Sequence, residues 1–423
     1  MHTLRRDAKF YPNLYEYFSQ SEGIDSLTNY VKSYEYTYLD ADQSVVGPIV
    51  NGKQTYIDSV MVTYNTLTNS LRAELDDEDS TYTMLLPTDE AWNKAYSTVS
   101  STLKYITSLK CQYYASDGSL KSDRAVSYTS DYLTYLRDSL TKRQLVRNLI
   151  YSNNDYYNQW LEGNGTFMDT VRTTNGTKLS MPKPTFEDGL VKKIQMSNGI
   201  GRLVDTLAFK PWETYLSSIV LAGTSSDYRP TMTSTAAASR VTDVTVSNPD
   251  RSMVDLTGTN GGSTTLRYAQ LEPLVARTSR PAITYYLPNV KSAAYNIYCV
   301  LAPASVNLDD SLTEVRPYLI NFALNYCDAN GVLRTVDLGS HSNDTSKVDT
   351  VYVGTHTFPV SYYGLSTSNV DYYPNLKLTT PYSFTQIDSK TRKKYWDTYA
   401  RDYRIVAVIL RPVERDKYYG KEY

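Results

Sequence analysis

The sequence has few of the residues from which metal and redox sites are built. Its 423 residues include three cysteines, Cys111, Cys299 and Cys327. A sparse, odd-numbered set without C-x-x-C spacing predicts neither a disulfide framework nor a zinc site. Cys299 and Cys327 lie in strand-like runs, where we expect buried apolar thiols. The histidines are also three and are scattered, which argues against a histidine-centred catalytic or metal site: His2, His341 and His356.

The chain also lacks an excess of charge and a long apolar run. Lys plus Arg number 43 and Asp plus Glu 45, so the formal net charge is −2. We therefore expect no positively charged surface that would bind nucleic acid or an anionic membrane. The longest purely apolar run, Ile405 to Leu410, has the length of a strand and not of a membrane span. No signal peptide or lipobox cysteine is recognised.

Tyrosine is the residue that the sequence has in excess. It occupies 41 of the 423 positions, with only eight Phe and four Trp beside it. That is roughly three times the usual share of tyrosine. A tyrosine buries a large ring while its hydroxyl stays hydrated, so the excess suits half-exposed strands and binding faces.

Residues 81–96, TYTMLLPTDEAWNKAY, predict a buried strand followed at once by a helix. The run from Thr81 to Leu86 is short, apolar and β-prone. Pro87 cannot donate to a sheet ladder and favours extended geometry in the residue before it. Thr88 is then suited to cap a helix whose first turn carries two acidic residues. This corner is expected to have a structural role and contains no catalytic group.

The same run resembles the first signature of the fasciclin family, with Leu86 and Trp92 as departures from the family pattern. Residues 197–205, SNGIGRLVD, resemble the second family signature. The resemblance covers about the first half of the chain and implies an α+β domain that serves in adhesion or binding, not catalysis. Arg147 and Asn148 stand where many family members have a Tyr-His pair linked to adhesion, which weakens integrin-type recognition.

Several local patterns predict further structure in the first half. Asn198-Gly199 is a strong turn signal between two strand-like runs, Leu190 to Met196 and Ile200 to Leu207, and predicts a hairpin. Residues 97–150 have a helical pattern. Ser59 to Tyr64 reads as a strand or a buried helix end.

The second half predicts strands with little helix between them. Seven runs rich in Val, Ile, Tyr or Thr are separated by turn residues. They are Ala282 to Leu287, Tyr295 to Leu301, Tyr318 to Tyr326, Val332 to Leu338, Lys347 to Phe358, Leu376 to Thr380 and Arg404 to Leu410. The turn Ala329-Asn330-Gly331 joins two of them. We expect an antiparallel β-sandwich of jelly-roll or immunoglobulin-like kind.

The domain organisation predicted from these patterns has five parts. They are a tail at 1–11, a fasciclin-like domain at 12–222, a Ser- and Thr-rich linker or surface excursion at 223–250, a β-sandwich at 251–415 and a tail at 416–423.

A search for reactive motifs predicts no catalytic residues. The nucleophile elbow G-x-S-x-G is absent, and the two S-x-x-K matches at 101–104 and 139–142 lack their partner motifs. The glycine-rich run 258–262 has no following P-loop lysine and is interpreted as a turn. No metal, cofactor or nucleic acid partner is expected. A glycan hydrolase that uses carboxylates such as Asp371 stays as an alternative of a different class.

What remains are clusters of aromatic residues, which are the candidate ligand-binding residues. They are Tyr156, Tyr157, Trp160, Tyr362, Tyr363, Tyr372 and Tyr373. Exposed rings of this kind stack on sugars or anchor a partner protein, because a rigid ring gives a large contact at low entropy cost. The alternative is that each pair packs the edge of a strand, and for any single pair that interpretation is favoured.

The hypothesis that follows is a non-catalytic, exported binding protein. The arrangement and the tyrosine-rich style resemble surface lipoproteins of Bacteroidetes that accompany outer-membrane uptake systems. The resemblance implies a mature chain trimmed of its export signal, located at the outer membrane or cell surface, and held there only by a lipid anchor outside this chain. The expected partners are a glycan or peptide ligand or proteins of an uptake complex. Fasciclin-type cell adhesion is the alternative.

Overall fold

A computed structural model describes most of the chain. The described residues are 11–115, 119–153, 167–229, 239–246, 266–274, 280–307, 315–367, 369–381 and 388–420. The chain divides into two compact units. The first comprises Met1–Ser100 and Ser139–Tyr215, and the second comprises Ser101–Asp138 and Leu216–Tyr423.

Helices and strands are numbered along the whole chain. The helices are α1 (Leu14–Gln20), α2 (Asp25–Lys32), α3 (Thr66–Ser70), α4 (Asp89–Ser100), α5 (Ser130–Val146), α6 (Lys183–Glu187), α7 (Ser389–Thr398) and α8 (Val413–Tyr419). The strands are β1 (Glu35–Val50), β2 (Lys53–Asn65), β3 (Tyr82–Pro87), β4 (Ser108–Tyr114), β5 (Leu120–Ser127), β6 (Ile150–Ser152), β7 (Thr170–Arg172), β8 (Lys178–Ser180), β9 (Leu190–Met196), β10 (Gly199–Val204), β11 (Ile219–Ala222), β12 (Ser239–Val246), β13 (Leu266–Pro273), β14 (Ala282–Tyr286), β15 (Ala294–Leu301), β16 (Leu319–Cys327), β17 (Leu333–Ser342), β18 (Asp349–Thr357), β19 (Asn375–Thr379) and β20 (Tyr403–Pro412).

The first unit is built on a four-stranded sheet with the order β6-β3-β10-β9. Strand β3 is buried along its whole length and pairs in parallel with β10, from Tyr82 opposite Gly199 to Pro87 opposite Val204. The two segments that carry the family resemblance are therefore neighbours in one sheet. The hairpin predicted around Asn198-Gly199 is confirmed, because β9 and β10 pair antiparallel on either side of it.

The predicted strand-to-helix corner is present between β3 and α4, and it also forms hydrogen bonds to the start of α2. Thr88 accepts a hydrogen bond through its Oγ1 from the backbone N–H of Ala91 at 3.2 Å, as a capping residue does. The carboxylate of Asp89 accepts hydrogen bonds from the backbone N–H groups of Asp25 and Ser26, at 3.2 and 2.6 Å. Burial alone would raise the pKa of Asp89, but the hydrogen bonds from Ser26 and Asp25 outweigh it and lower that pKa. The first turn of α2 is thereby capped from α4.

The side chain of Asn198 connects distant parts of the first unit. Its Oδ1 accepts a hydrogen bond from the N–H of Leu14 at 2.9 Å, and its Nδ2 donates to the carbonyl oxygens of Leu75 and Asp77 at 2.7 and 3.0 Å. The next residue, Gly199, has φ +150°, and a Cβ there would lie 2.0 Å from the carbonyl oxygen of Tyr82. Only glycine fits this approach of two backbones.

Strands β1 and β2 form a separate two-stranded ribbon in the first unit. Asn51 and Gly52 join them with φ angles of 52° and 75°, as a type I′ turn requires. The run from Ser59 to Tyr64 was open to two predictions, a strand or a buried helix end. It is a strand and mostly faces solvent. The ring of Tyr36 lies tilted against Tyr38 and edge-on to Tyr64, with ring centroids 6.0 and 5.5 Å away.

The second unit is β-rich, as predicted for this half of the chain. One antiparallel sheet has the order β12-β13-β20-β15-β18, with β11 also paired to β20. The other is antiparallel with the order β14-β19-β16-β17, and the turn predicted at 329–331 joins β16 to β17. Strands β15 and β20 are buried at almost every position, so they form the centre of the core.

Two organisational predictions are changed in detail by the structure. The region 223–250, predicted as a linker or a surface excursion, contains β12, which pairs with β13 over all eight of its residues, so it is not merely a linker. Residues 97–150, predicted as helical, contain the hairpin of β4 and β5. The hairpin was missed because β5 is exposed and polar, so it has no alternation of apolar residues to reveal it. Residues 101–138 also belong to the second unit and not to the first.

We expect the substitution Asn198→Ala to lower the free energy of unfolding by about 3 kcal/mol, because it leaves one N–H and two carbonyl groups without their partner in a buried place. Urea denaturation of the full chain measures this. Asn69→Ala, an exposed change on α3, is the matched control and should be near neutral. An equal, small effect of the two substitutions would contradict the connecting role of Asn198.

Candidate functional site

The site of interest lies in the second unit and begins with residues 101–107. The N–H of Ser292 donates to the carbonyl oxygen of Thr102 at 2.9 Å. Lys104 is held on both sides, since its N–H donates to the hydroxyl of Ser292 at 3.0 Å and its carbonyl accepts from the N–H of Ser361 at 2.7 Å. This segment is therefore fixed to two loops of the β-rich unit.

The hairpin of β4 and β5 continues the segment and lies against β16 and β17. The thiol of Cys327 donates to the carbonyl oxygen of Lys110 at 3.1 Å. Gly331 in the β16–β17 turn has φ +73°, and a Cβ there would be 2.9 Å from the carbonyl oxygen of Ser108. Arg124 on β5 pairs with the mostly buried Asp371 across 3.7 Å. The hairpin thus approaches the turn at backbone distance.

The two predicted tyrosine pairs of this region each divide into a buried and a half-exposed member. Tyr362 is fully buried, and its hydroxyl accepts a hydrogen bond from the N–H of Cys327 at 3.1 Å. Burial raises the pKa of Tyr362 far above its ordinary value. Tyr372 is also buried, whereas Tyr363 and Tyr373 are half-exposed. In each pair the first ring supports the fold and the second faces solvent.

The half-exposed members join three tyrosines of the segment 101–138 to form what we call the tyrosine patch: Tyr105, Tyr128, Tyr132, Tyr363 and Tyr373. The hydroxyl of Tyr105 donates to the carbonyl oxygen of Tyr363 at 2.8 Å. Tyr128 donates to the carbonyl oxygen of Ser366 at 2.9 Å, and its ring stacks on Tyr132 with centroids 5.9 Å apart and planes at 19°. Tyr373 in turn contacts Tyr228 at 6.4 Å.

Two phenols of the patch have raised pKa values. Burial is the largest cause that raises the pKa of Tyr128, to about 12, and the neighbouring Tyr132 and Tyr373 raise it further. Burial also raises the pKa of Tyr105, with Tyr363 and Tyr132 as smaller contributors. The hydroxyls of Tyr105 and Tyr128 are therefore neutral at physiological pH and can donate and accept hydrogen bonds.

Cations border the patch. The ammonium of Lys291, a buried residue, lies 4.2 Å from the ring centroid of Tyr363. The guanidinium of Arg124 lies 3.5 Å from the ring centroid of Tyr113 on the hairpin. Both distances are within the range of cation–π attraction.

The space beneath the hairpin is too small for a ligand. A cavity of about 10 Å³ lies between Cys111, Cys327, Tyr362 and Tyr372. Such a volume holds at most one water molecule. A ligand would therefore not enter this cavity.

The structure describes four of the seven candidate residues named from the sequence. Tyr363 and Tyr373 belong to the patch, while Tyr362 and Tyr372 support it from the core. Tyr156, Tyr157 and Trp160 lie outside the described residues. Sequence reasoning missed Tyr105, Tyr128 and Tyr132, for which the only signal was the general excess of tyrosine. The ligand-binding assignment stays a prediction.

The three cysteines are buried free thiols, as expected for Cys299 and Cys327. Burial is the main cause that raises the pKa of Cys111, to about 11, with Asp371 adding to it. Burial also raises the pKa values of Cys299 and Cys327. Within the part of the chain that the structure describes, no group of three or more His, Cys, Asp or Glu side chains is placed to hold a metal ion.

Among the described residues, no helix combines the length and the apolar character needed to cross a membrane.

Comparisons with known proteins leave the family open. No protein-family model and no curated protein matches the chain. Two solved structures are similar over part of it. The CBM22-1–GH10 modules of endo-1,4-β-D-xylanase 10B from Clostridium thermocellum, complexed with xylohexaose, align with 46% of this chain and 28% of that chain at 9% identity and a TM-score of 0.23. The GH26-CBM35 β-(1,4)-mannanase of Podospora anserina aligns with 42% of this chain and 28% of that chain at 12% identity and a TM-score of 0.18. The chain thus spans less than a third of each of these proteins, and TM-scores of this size define neither its fold nor its function.

The buried thiols should react slowly with a disulfide reagent such as DTNB, because the thiolate is the reactive form and burial disfavours it. We expect all three cysteines to become reactive only when the protein unfolds in urea. A Ser122→Cys variant, with its new thiol on the exposed β5, should react at once and serves as the control. Fast reaction of Cys111 in the native protein would contradict its burial beneath the hairpin.

The raised pKa of Tyr128 makes a signed prediction for alkaline pH. Its folded pKa of about 12 exceeds the ordinary value of 10.0, so its neutral hydroxyl stabilises the fold below pH 10 and that contribution is lost as pH rises toward 12. The urea midpoint of the wild type should therefore fall more steeply over this window than that of Tyr128→Phe. Tyr418→Phe on the exposed α8 corrects for the loss of one phenol. Parallel curves for wild type and Tyr128→Phe would refute the shift.

Proposed function

We propose that the protein is a non-catalytic binding protein that captures a glycan on the tyrosine patch. The observation that carries this proposal is the grouping of five tyrosines, each partly open to solvent, from two distant parts of the chain in the second unit. The rings of Tyr105 and Tyr128 are held in place by hydrogen bonds from their own hydroxyls to backbone carbonyls. A surface fixed in this way loses little conformational entropy when a ligand binds.

The chemistry of the patch suits a sugar. The C–H face of a pyranose packs on a phenol ring, while the phenol hydroxyl can exchange hydrogen bonds with sugar hydroxyls at the edge. The ammonium of Lys291 lies beside the ring of Tyr363, where cation–π attraction helps to hold that ring in place.

The cellular setting belongs to the same proposal. The resemblance to fasciclin proteins supports an exported protein at the cell surface, where a captured glycan would be passed to an uptake complex. The position of both resembling segments in one sheet of the first unit supports retaining that interpretation. Fasciclin-type adhesion is the second candidate, and it would give binding to cells or matrix proteins that substitutions in the patch leave unchanged.

The test is a screen of the full chain against soluble polysaccharides and peptides by affinity electrophoresis, followed by calorimetry on the ligand that binds. Tyr363→Ala, Tyr373→Ala and Tyr132→Ala should each weaken binding about tenfold, because each removes one stacking ring. Tyr363→Phe keeps the ring and should bind more tightly than Tyr363→Ala. Tyr418→Ala removes an exposed ring outside the patch and should leave the affinity unchanged.

The results also separate the other functions. Affinity that survives all three alanine substitutions would exclude the patch as the binding site. Turnover of a polysaccharide that Asp371→Asn abolishes would favour the hydrolase alternative instead. Because Asp371 pairs with Arg124, the fold of that variant must be verified by its urea midpoint.

A further inference from the structure

The tip of the β1–β2 ribbon carries an Asn-Gly pair, a dipeptide prone to attack of the glycine backbone nitrogen on the asparagine side-chain amide. Glycine has no side chain to shield its nitrogen, so this step is less hindered than before any other residue. The described residues contain four such pairs: Asn51-Gly52, Asn175-Gly176, Asn198-Gly199 and Asn330-Gly331. The surroundings of each pair decide whether it can react.

At the ribbon tip both reacting groups are open. Asn51 and Gly52 are exposed, and a Cβ placed on Gly52 would meet nothing within 4 Å beyond its chain neighbours. The pair that closes this type I′ turn is Val50 and Lys53, and the N–H of Gly52 donates to no backbone carbonyl of the described residues. No hydrogen bond to another described residue holds the side-chain amide of Asn51.

The turn must open before the nitrogen and the amide carbon can meet, because ring closure changes the backbone angles of Asn51. The ribbon permits this opening, since β1 and β2 form a sheet of two strands and most of their side chains face solvent. A two-stranded hairpin is only marginally stable in water. Opening of the tip therefore costs much less free energy than unfolding of the whole unit.

The pair Asn175-Gly176 is held by its own loop. The Oδ1 of Asn175 accepts a hydrogen bond from the hydroxyl of Thr177 at 3.1 Å. The N–H of Gly176 donates to the carbonyl oxygen of Thr173 at 2.8 Å, so the attacking nitrogen is occupied. Both hydrogen bonds must break before the ring can close.

The other two pairs are held by tertiary contacts. Asn198 is 1% exposed, and its amide makes the three hydrogen bonds described above. At the β16–β17 turn Asn330 is exposed, but Gly331 is buried and its N–H donates to the carbonyl oxygen of Asp328 at 2.9 Å. Reaction at either pair requires a larger opening of the fold than reaction at the ribbon tip.

We propose that Asn51 is a site of spontaneous deamidation, at which the folded protein forms a succinimide and then isoaspartate beside aspartate. The nitrogen of Gly52 gives up its proton and bonds to Cγ of Asn51, the Cγ–Nδ2 bond breaks, and the nitrogen leaves as ammonia. Water then opens the ring. Hydrolysis at Cγ gives aspartate, whereas hydrolysis at the main-chain carbonyl carbon leaves the chain running through Cβ. The sum is one water consumed and one ammonia released.

The isoaspartate product changes the main chain of the turn. Its chain passes through Cβ, which adds one atom to a loop of two residues, and its new carboxylate stands where the main-chain carbonyl was. A type I′ turn fits the twist of the strands only with two ordinary residues of positive φ, here 52° and 75°. The closing pair of Val50 and Lys53 is therefore expected to separate, which loosens β1 and β2 from the tip.

Peptide mapping of the full chain by mass spectrometry, after ageing in mildly alkaline buffer, tests the site. In the folded protein Asn51 should lose ammonia at least about tenfold faster than Asn175, Asn198 or Asn330, because its opening costs least. In urea the four pairs should react at similar rates, which shows that the fold causes the difference. Equal rates in the folded protein, or an Asn51 peptide without isoaspartate, overturn the proposal.

Two variants separate the site from its consequence. Asn51→Gly keeps a residue suited to positive φ and should leave the ribbon peptide unmodified. Asn51→Asp carries the new charge on an ordinary main chain. Amide hydrogen exchange in β1 and β2 should be faster in the aged wild type than in fresh wild type or fresh Asn51→Asp, with exchange in β3 and β10 unchanged. Equally fast exchange in fresh Asn51→Asp would assign the loosening to charge and refute the main-chain effect. None of these outcomes depends on glycan binding by the second unit.

Discussion

The first unit depends on one buried amide, that of Asn198. Its carbonyl oxygen and its NH₂ group satisfy the start of α1 and two carbonyls of the loop before β3, and its own backbone carbonyl accepts from Tyr82. The hairpin turn, the first helix and the central strand are thereby fixed at one point. The adjacent Gly199 has no side chain, so β3 can approach to backbone distance. A buried polar network of this kind specifies one arrangement, because every alternative leaves a group unsatisfied.

The second unit keeps some tyrosine rings at its surface while their neighbours in the sequence are buried in the core. In each of two tyrosine pairs one ring is buried and anchors the loop, as Tyr362 does through Cys327, and the next ring is left at the surface. The hairpin of β4 and β5 then brings further tyrosines beside them. It is held by the buried side chains of Leu109 and Cys111 on β4, by a thiol-to-carbonyl hydrogen bond and by one ion pair. The close approach of Gly331 in the β16–β17 turn to the backbone of Ser108 adds to this attachment.

The ribbon of the first unit exposes both aromatic and aliphatic side chains. Tyr36 contacts Tyr38 and Tyr64 on its surface, and the apolar side chains of Ile57 and Met61 on β2 face solvent. The tyrosine excess of the sequence is therefore distributed over the surfaces of both units.

The sequence by itself determined the elements whose signals are local. Pro87 ended β3, Asn198-Gly199 defined the hairpin, and runs of Val, Ile and Tyr predicted most strands of the second half, because turn chemistry and alternation act over a few residues. It also named Tyr363 and Tyr373 as candidate binding residues, a role that stays a prediction. Only the tertiary structure decided that residues 101–138 belong to the second unit, that β5 is a strand, and that Tyr105, Tyr128 and Tyr132 join the patch. Those outcomes rest on contacts between residues far apart in the chain, such as Lys110 with Cys327, and no local pattern encodes such a contact.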